Sequence, residues 1–255
     1  MAGTHPELRI VTVSWARVEP VRGEYREGEI DTLQREVRAV RASGAEPLVV
    51  LHAGALPDWV IARQGWLDPD IGADWGCFVD RVAQRLATHV RLWAPLRGPL
   101  EEAEWYEGEA RIALRALLDA HAAAYLHLKR SQGFGGRPPE VGTLATWATW
   151  TGAGLRGRAE AELRSRLGPD AWVAVLASGR LAPPFALVGE LPNGTPALDW
   201  VGVEWAGAVE LPGGRVLGPD PEGRAACVGR LAALGKPLFV PGAGAPTGVR
   251  VLGVG

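Results

Sequence analysis

The 255-residue sequence is short of several things, and each shortage narrows the reading. It has two cysteines, Cys77 and Cys227, far apart and each in a helical-looking stretch. They read as two reduced thiols rather than as a disulfide framework or a metal site, and no metal or other cofactor is expected. Charge of one sign is lacking: the formal net charge is −2, which gives no electrostatic case for nucleic acid or an anionic membrane as partner. No apolar run approaches a bilayer span, and the opening MAGTHPELRI has no signal-peptide core, so a cytoplasmic protein is expected. Lysine occurs only at Lys129 and Lys236, the other basic residues being arginine. With abundant alanine, glycine and proline, that bias reads as genomic base composition, not function. Tryptophan is the exception, at eleven residues. It combines a large apolar area with one polar handle and suits cores and sugar-stacking platforms equally.

Short apolar runs alternate with amphipathic stretches, the pattern of repeated βα units on a parallel sheet. Strands are expected at Leu8–Ser14, Pro47–His52, Val90–Trp93, Val141–Thr146, Trp200–Trp205 and Pro237–Pro241, with a weak last one at Val249–Val254. Helical spacing marks the stretch carrying Ile30, Leu33, Val37 and Val40, then Asp70–Thr88, Glu109–Arg130, Leu155–Leu167 and Pro221–Leu234. Trp172–Leu176 fits helix or strand, and Leu181–Leu198 is a Pro-rich connection. No linker divides the series, so a single domain over residues 1–255 is expected.

Several phrases resemble glycoside hydrolase family 1. TVSWARVEPVRGEY is similar to the family's S-I-S-W-S-R-I-x-P-x-x-G segment at Ser14, Trp15, Arg17, Pro20 and Gly23. GAEPLVVLHAGALPDWV is similar to G-I-E-P-x-V-T-L-H-H-x-x-L-P-x-W, matching at Gly44, Glu46, Pro47, Leu51, His52, Leu56, Pro57 and Trp59. GWLDPD, VRLWAPLRGP, ALDWVGVEW and GKPLFVPGAG follow in the family's order. The resemblance implies a TIM-type (β/α)8 barrel of the α/β class. It is a truncated or irregular one, since the family's first strand would precede Leu8 and has no room there.

Retaining glycoside hydrolysis uses two carboxyl groups about 5–5.5 Å apart, one protonating the leaving oxygen and one attacking the anomeric carbon. The family's acid lies in an Asn-Glu-Pro triplet that aligns with Arg97, Gly98 and Pro99. Its nucleophile lies in Thr-Glu-Asn-Gly, which aligns with Pro241, Gly242, Ala243 and Gly244. Neither Gly98 nor Gly242 can transfer a proton or form a glycosyl ester. The second histidine of the family's pair is Ala53. The strand-borne arginine aligns with Ile10, leaving Arg9 on the opposite face, and the asparagine of the Asn-Tyr-Tyr segment is Glu204.

Replacement groups stand nearby. Glu101, Glu102 and Glu104 follow the strand that carried the acid, and read either as a solvated acidic loop or as substitutes. Glu204 ends an apolar strand at the barrel mouth, where a charge is paired or used; Arg97 is its candidate partner, and the two are the candidate catalytic residues. His52 reads as a hydrogen-bonded core histidine or a ligand contact. Trp147, Trp150 and Trp205 follow strand ends, either flooring a pocket or packing under loops. The expected ligand is a small, carbohydrate-like or apolar molecule bound by a non-hydrolytic relative. The alternative is an isomerase, cyclase or transferase acting through Glu204 and Arg97. A homodimer covering the seam left by the absent strand is a further expectation.

Overall fold

A computed structural model describes residues 7–182, 185, 189–191 and 194–240; nothing is said of the side chains of residues 166 and 167. Gly242 and the expected strand at residues 249–254 lie outside the described residues, as does part of the 181–198 connection.

Charge-free apolar runs become the central strands because both of their faces are covered. In chain order the elements begin β1 (Leu8–Thr12), α1 (Trp15–Val18), α2 (Glu27–Ala42), β2 (Glu46–His52), α3 (Asp58–Ile61), α4 (Ile71–Leu86) and β3 (Leu92–Leu96). There follow α5 (Pro99–Ala103), α6 (Ala110–Arg130), β4 (Glu140–Gly152), α7 (Gly154–Leu167) and α8 (Pro169–Ser178). The described chain closes with β5 (Trp200–Leu211), β6 (Arg215–Gly218), α9 (Pro221–Ala232) and β7 (Leu238–Phe239). Strands β1 to β5 pair parallel in sequence order, and β7 adds parallel to the first half of β5. The second half of β5 turns back on β6 in antiparallel register. Among the described residues the sheet is open, with β1 and β7 at its ends: a shortened (β/α) barrel.

Alternation sorts the strand side chains into two cores. Leu8, Leu48, Val50, Leu92, Ala94, Leu144, Trp200 and Phe239 form the inner cluster, while Val11, Val49, Leu51, Trp93, Val141, Ala145, Val201 and Val203 join the outer one under the helices. The inner cluster is tightly filled. A Cβ at Gly142 would stand 2.1 Å from the Trp200 ring, and one at Gly202 would stand 2.3 Å from Leu144, so both glycines are demanded by large neighbours.

The family-like phrases cluster in space. Trp15 stacks on Phe78 with ring centroids 5.1 Å apart and meets Trp59 edge-on at 5.9 Å. Buried Glu19 ties the group, accepting from Trp15 Nε1 at 2.8 Å and Gly23 N at 2.8 Å, while its backbone carbonyl accepts from Trp59 Nε1.

Two expectations are corrected and one open reading is resolved. The third strand runs Leu92–Leu96, two to three residues later than Val90–Trp93, because pairing with β2 continues past Pro95 to His52 and Leu96. Trp172–Leu176 is helical, inside α8, with Pro169 at its start and Gly179 (φ +75) closing it. The fourth and fifth strands extend well past Thr146 and Trp205 into a long paired ribbon.

His121 on α6 is fully buried, and its Nε2 lies 3.0 Å from the carbonyl of Ala197, which can only accept, so that nitrogen carries the proton. Burial depresses its pKa to about 4. The unfolded chain takes up this proton near 6.5 and the folded chain only near 4, so stability is lost as the pH falls through that window. Thermal melts between pH 7 and pH 4 should show the wild type losing about 3 kcal/mol relative to His121→Gln, which keeps a donor but does not titrate. Parallel curves for the two proteins would remove this account.

Candidate functional site

The C-terminal ends of the strands bring most of the candidate residues together, where barrel sites lie. Arg97 immediately follows β3. Its amide donates to the His52 carbonyl at 3.0 Å, and the next amide, of Gly98, donates to Leu144 O at 3.1 Å. The turn is thus pinned to both neighbouring strands. Gly98 adopts a left-handed conformation (φ +65, ψ 44), which lets the chain reverse directly into α5, with Pro99 at its first position.

Arg97 and Glu204 form a bidentate pair. Arg97 Nε donates to Glu204 Oε1 and Oε2 at 3.0 and 3.1 Å, and Nη2 donates to Oε1 at 2.6 Å. The pair is partly open to solvent, the side chains being 43% and 24% exposed. The Glu204 hydrogen bond and charge hold the Arg97 guanidinium above its ordinary pKa. Both groups are therefore committed to each other in this state, with Glu204 register-paired to Thr146 on β4.

The three acidic residues after β3 part company. Glu102 is 2% exposed, which corrects the reading of a wholly solvated loop. Its carboxylate accepts from Trp66 Nε1 at 2.6 Å and lies 2.8 and 2.9 Å from His52 Nε2. His52, at 1% exposure, is a hydrogen-bonded core histidine. Neither reaches a surface ligand; together they lock α5 against β2. Glu104 is exposed and pairs with Arg164 at 2.7 Å, while Glu101 is exposed with no bond of its own among the described residues.

The tryptophans also divide. Trp147 is 3% exposed and donates to Asp170 at 2.8 Å. Trp205 is half-buried, with its Nε1 lacking a partner among the described residues. Trp150 is half-buried, with the Arg164 guanidinium 5.1 Å from its ring centroid. It lines a cavity of about 330 Å3 between α5, the start of α6, the β4 extension and α7, walled mainly by apolar groups such as Leu100, Ala103, Leu114 and Leu163. Sequence reading missed this cavity because its far wall is α7, whose residues carry no apolar stripe. It also missed Trp105, 66% exposed, whose ring would stand 2.8 Å from a Cβ at Gly54 and so bridges the loops after β2 and β3.

Among the described residues no group of three or more His, Cys, Asp or Glu is placed to hold a metal ion, and no helix is long and apolar enough to cross a membrane. No family model matches the chain. Among solved structures, a β-glycosidase from Pyrococcus horikoshii is similar over 91% of this chain with a TM-score of 0.71 at 20% identity. The family 1 β-glucosidase from Thermotoga maritima, solved in complex with isofagomine lactam, is similar over 92% with a TM-score of 0.76 at 16% identity.

The fold is that of a family 1 β-glycosidase.

Sequence similarity to the family 1 enzymes points the same way: β-glucosidase 40 of Arabidopsis thaliana is 32% identical over 90 residues, and β-glucosidase 34 of Oryza sativa subsp. japonica is 30% identical over 90. Those matches take in 34% of this chain and 18% of each plant protein, and the chain spans 60% and 62% of the two solved family 1 structures.

Removing the Glu102 carboxylate strands two buried donors. Glu102→Ala should cost roughly 3–5 kcal/mol in denaturant unfolding, whereas Glu101→Ala should change stability by less than about 0.5 kcal/mol. Equal effects of the two would show that Glu102 is not the tie described.

Proposed function

We propose that this chain is a cytoplasmic, non-hydrolytic relative of the family 1 glycosidases that binds a glycoside-like or apolar small molecule at its strand ends. The observation that carries the reading is the state of the acidic groups there. Gly98, aligned with the family's acid, has no side chain; Glu102 is buried on His52 and Trp66; Glu204 is held by Arg97. Gly242, aligned with the nucleophile, offers no carboxylate either. Double displacement needs two free carboxyls facing one bond, and among the described residues these acidic groups supply no such pair. An apolar cavity of about 330 Å3 beside these groups supports binding, since small-molecule sites are concave and mainly apolar with few polar groups.

A panel of aryl β-glycosides should give no turnover that follows the folded protein through purification, while some members quench its tryptophan fluorescence saturably. Turnover abolished by Glu204→Gln would instead favour the second reading, an isomerase, cyclase or transferase working through Glu204 and Arg97. The observation in its favour is that this pair, unlike Glu102, remains partly open to solvent.

The proposal extends to assembly. Among the described residues β1 pairs on one side only, with β2, and Ile10 on it is 37% exposed. A second copy covering that edge gives a homodimer. Multi-angle light scattering should return twice the chain mass of 27.1 kDa, and a strict monomer removes the dimer.

A further inference from the structure

A second cavity, of about 430 Å3, adjoins the apolar one, and polar groups make up much of its lining. Three segments run from one cavity to the other, and each changes character at the same place. On β4, Thr146 faces the apolar cavity, Thr149 the polar one and Trp150 both. On α7, where consecutive side chains fan out by about 100°, Leu163 lines the apolar cavity, Ser165 the polar one and Arg164 both. Between α7 and α8 the pattern recurs: Gly168 faces the first, Asp170 the second and Pro169 both. The two spaces therefore share one wall, made of Trp150, Arg164 and Pro169.

That wall is held from several sides. The Arg164 guanidinium lies 5.1 Å from the Trp150 ring centroid and pairs with Glu104 at 2.7 Å and Glu160 at 3.5 Å. In the polar cavity, Asp170 accepts from Trp147 Nε1 at 2.8 Å and from Arg230 Nε at 3.1 Å. Each charged group lining that cavity thus has a partner of opposite sign, and an ion gains no unmatched countercharge there. In the apolar cavity Glu101 and Arg111 are exposed and opposite in sign, so neither charge is favoured. Groups suited to hydroxyls remain. Thr149 Oγ1 donates to Asp220 and Ser165 Oγ to the Ala161 carbonyl, which keeps both oxygens as acceptors. The Arg230 fork has five N–H donors, more than one carboxylate takes up. A hydroxyl both donates and accepts and can use this mixed set, whereas a carboxylate only accepts and an ammonium only donates.

We propose that the two cavities are halves of one site, which takes an uncharged amphipathic molecule: an apolar ring or short alkyl chain joined to a polyhydroxyl head. This rests on the binding reading above and deepens it, since the glycoside-like and the apolar characters become two ends of a single ligand. The apolar end lies against Leu100, Leu114 and Leu163, the head lies among Thr149, Ser165, Asp170 and Arg230, and the link passes the shared wall at Trp150. Each cavity alone is near the small end of the ~300–1,000 Å3 range of ligand sites, and a molecule filling both buries more of its surface.

The test titrates hexyl β-D-glucoside, hexan-1-ol and methyl β-D-glucoside calorimetrically against the full chain. Hexyl glucoside should bind at least about tenfold more tightly than hexan-1-ol, because the tethered head adds hydrogen bonds without a second association, and methyl glucoside should bind weakest. Two substitutions at exposed positions of α7, which leave the fold in place, separate the halves. Leu163→Trp fills the apolar cavity and should weaken hexan-1-ol and hexyl glucoside by about tenfold or more. Ser165→Trp fills the polar cavity and should bring hexyl glucoside down to the level of hexan-1-ol, whose own affinity stays within about twofold. Hexyl glucoside binding no more tightly than either fragment, or Ser165→Trp affecting it and hexan-1-ol alike, overturns the two-part site and leaves the apolar cavity standing. No binding of any probe to the wild type, or binding untouched by Leu163→Trp, overturns the binding reading itself.

Discussion

A single buried carboxylate holds the working end of this molecule together. Glu102 draws the indole of Trp66 and the imidazole of His52 onto one side chain, and these come from three different segments: the helix after β3, the turn after α3 and the end of β2. Burying a carboxylate is costly unless its oxygens are satisfied, and here both have partners. The tie fixes the start of α5, and so the Gly98 turn, the direction of Arg97 and the floor of the neighbouring cavity. The strand ends at this side of the sheet are thus organised from beneath, by a buried group.

The interior of the barrel adds a second constraint. Trp200 and Leu144 project inward and are accommodated because residues 142 and 202 are glycines. Among the described residues the sheet is open, large side chains fill its concave face, and one indole does much of that filling. With the axis occupied by side chains at this depth, open volume is found to one side, where the β4 extension and α7 overhang the start of α6. The ribbon of β4, β5 and β6 makes that overhang possible.

How much of this was legible in the sequence varied with the range of the interaction. Helical stripes such as Ile71, Trp75, Phe78, Val79 and Val82 and the charge-free strand of Leu48–Leu51 marked their elements, because burial imposes those periods locally. The Arg97–Glu204 pair could be suspected, since an acidic residue ending an apolar strand needs a counter-charge. Its bidentate geometry depends on two strands that are not neighbours in the pairing order. Glu102 was indistinguishable from Glu101 and Glu104 in sequence. A five-residue helix turns one carboxylate into the core and its neighbours outward, and only the position of Trp66 decides which. The long ribbon escaped notice because Thr, Ala and Gly between the tryptophans of residues 147–152 dilute the strand signal that backbone pairing then restores.

The left-handed turn at Gly98 also bears on which sequences the mouth of the sheet accepts. Any other residue there would sit in a backbone region costing roughly 1–3 kcal/mol, with Glu101 as its nearest neighbour at ordinary contact distance. A glutamate placed at that one position would therefore be resisted by the backbone more than by its neighbours. The surrounding turn works as a filter: a side chain enters at position 98 only with a change of backbone conformation that the two pinned amides of residues 97 and 98 oppose.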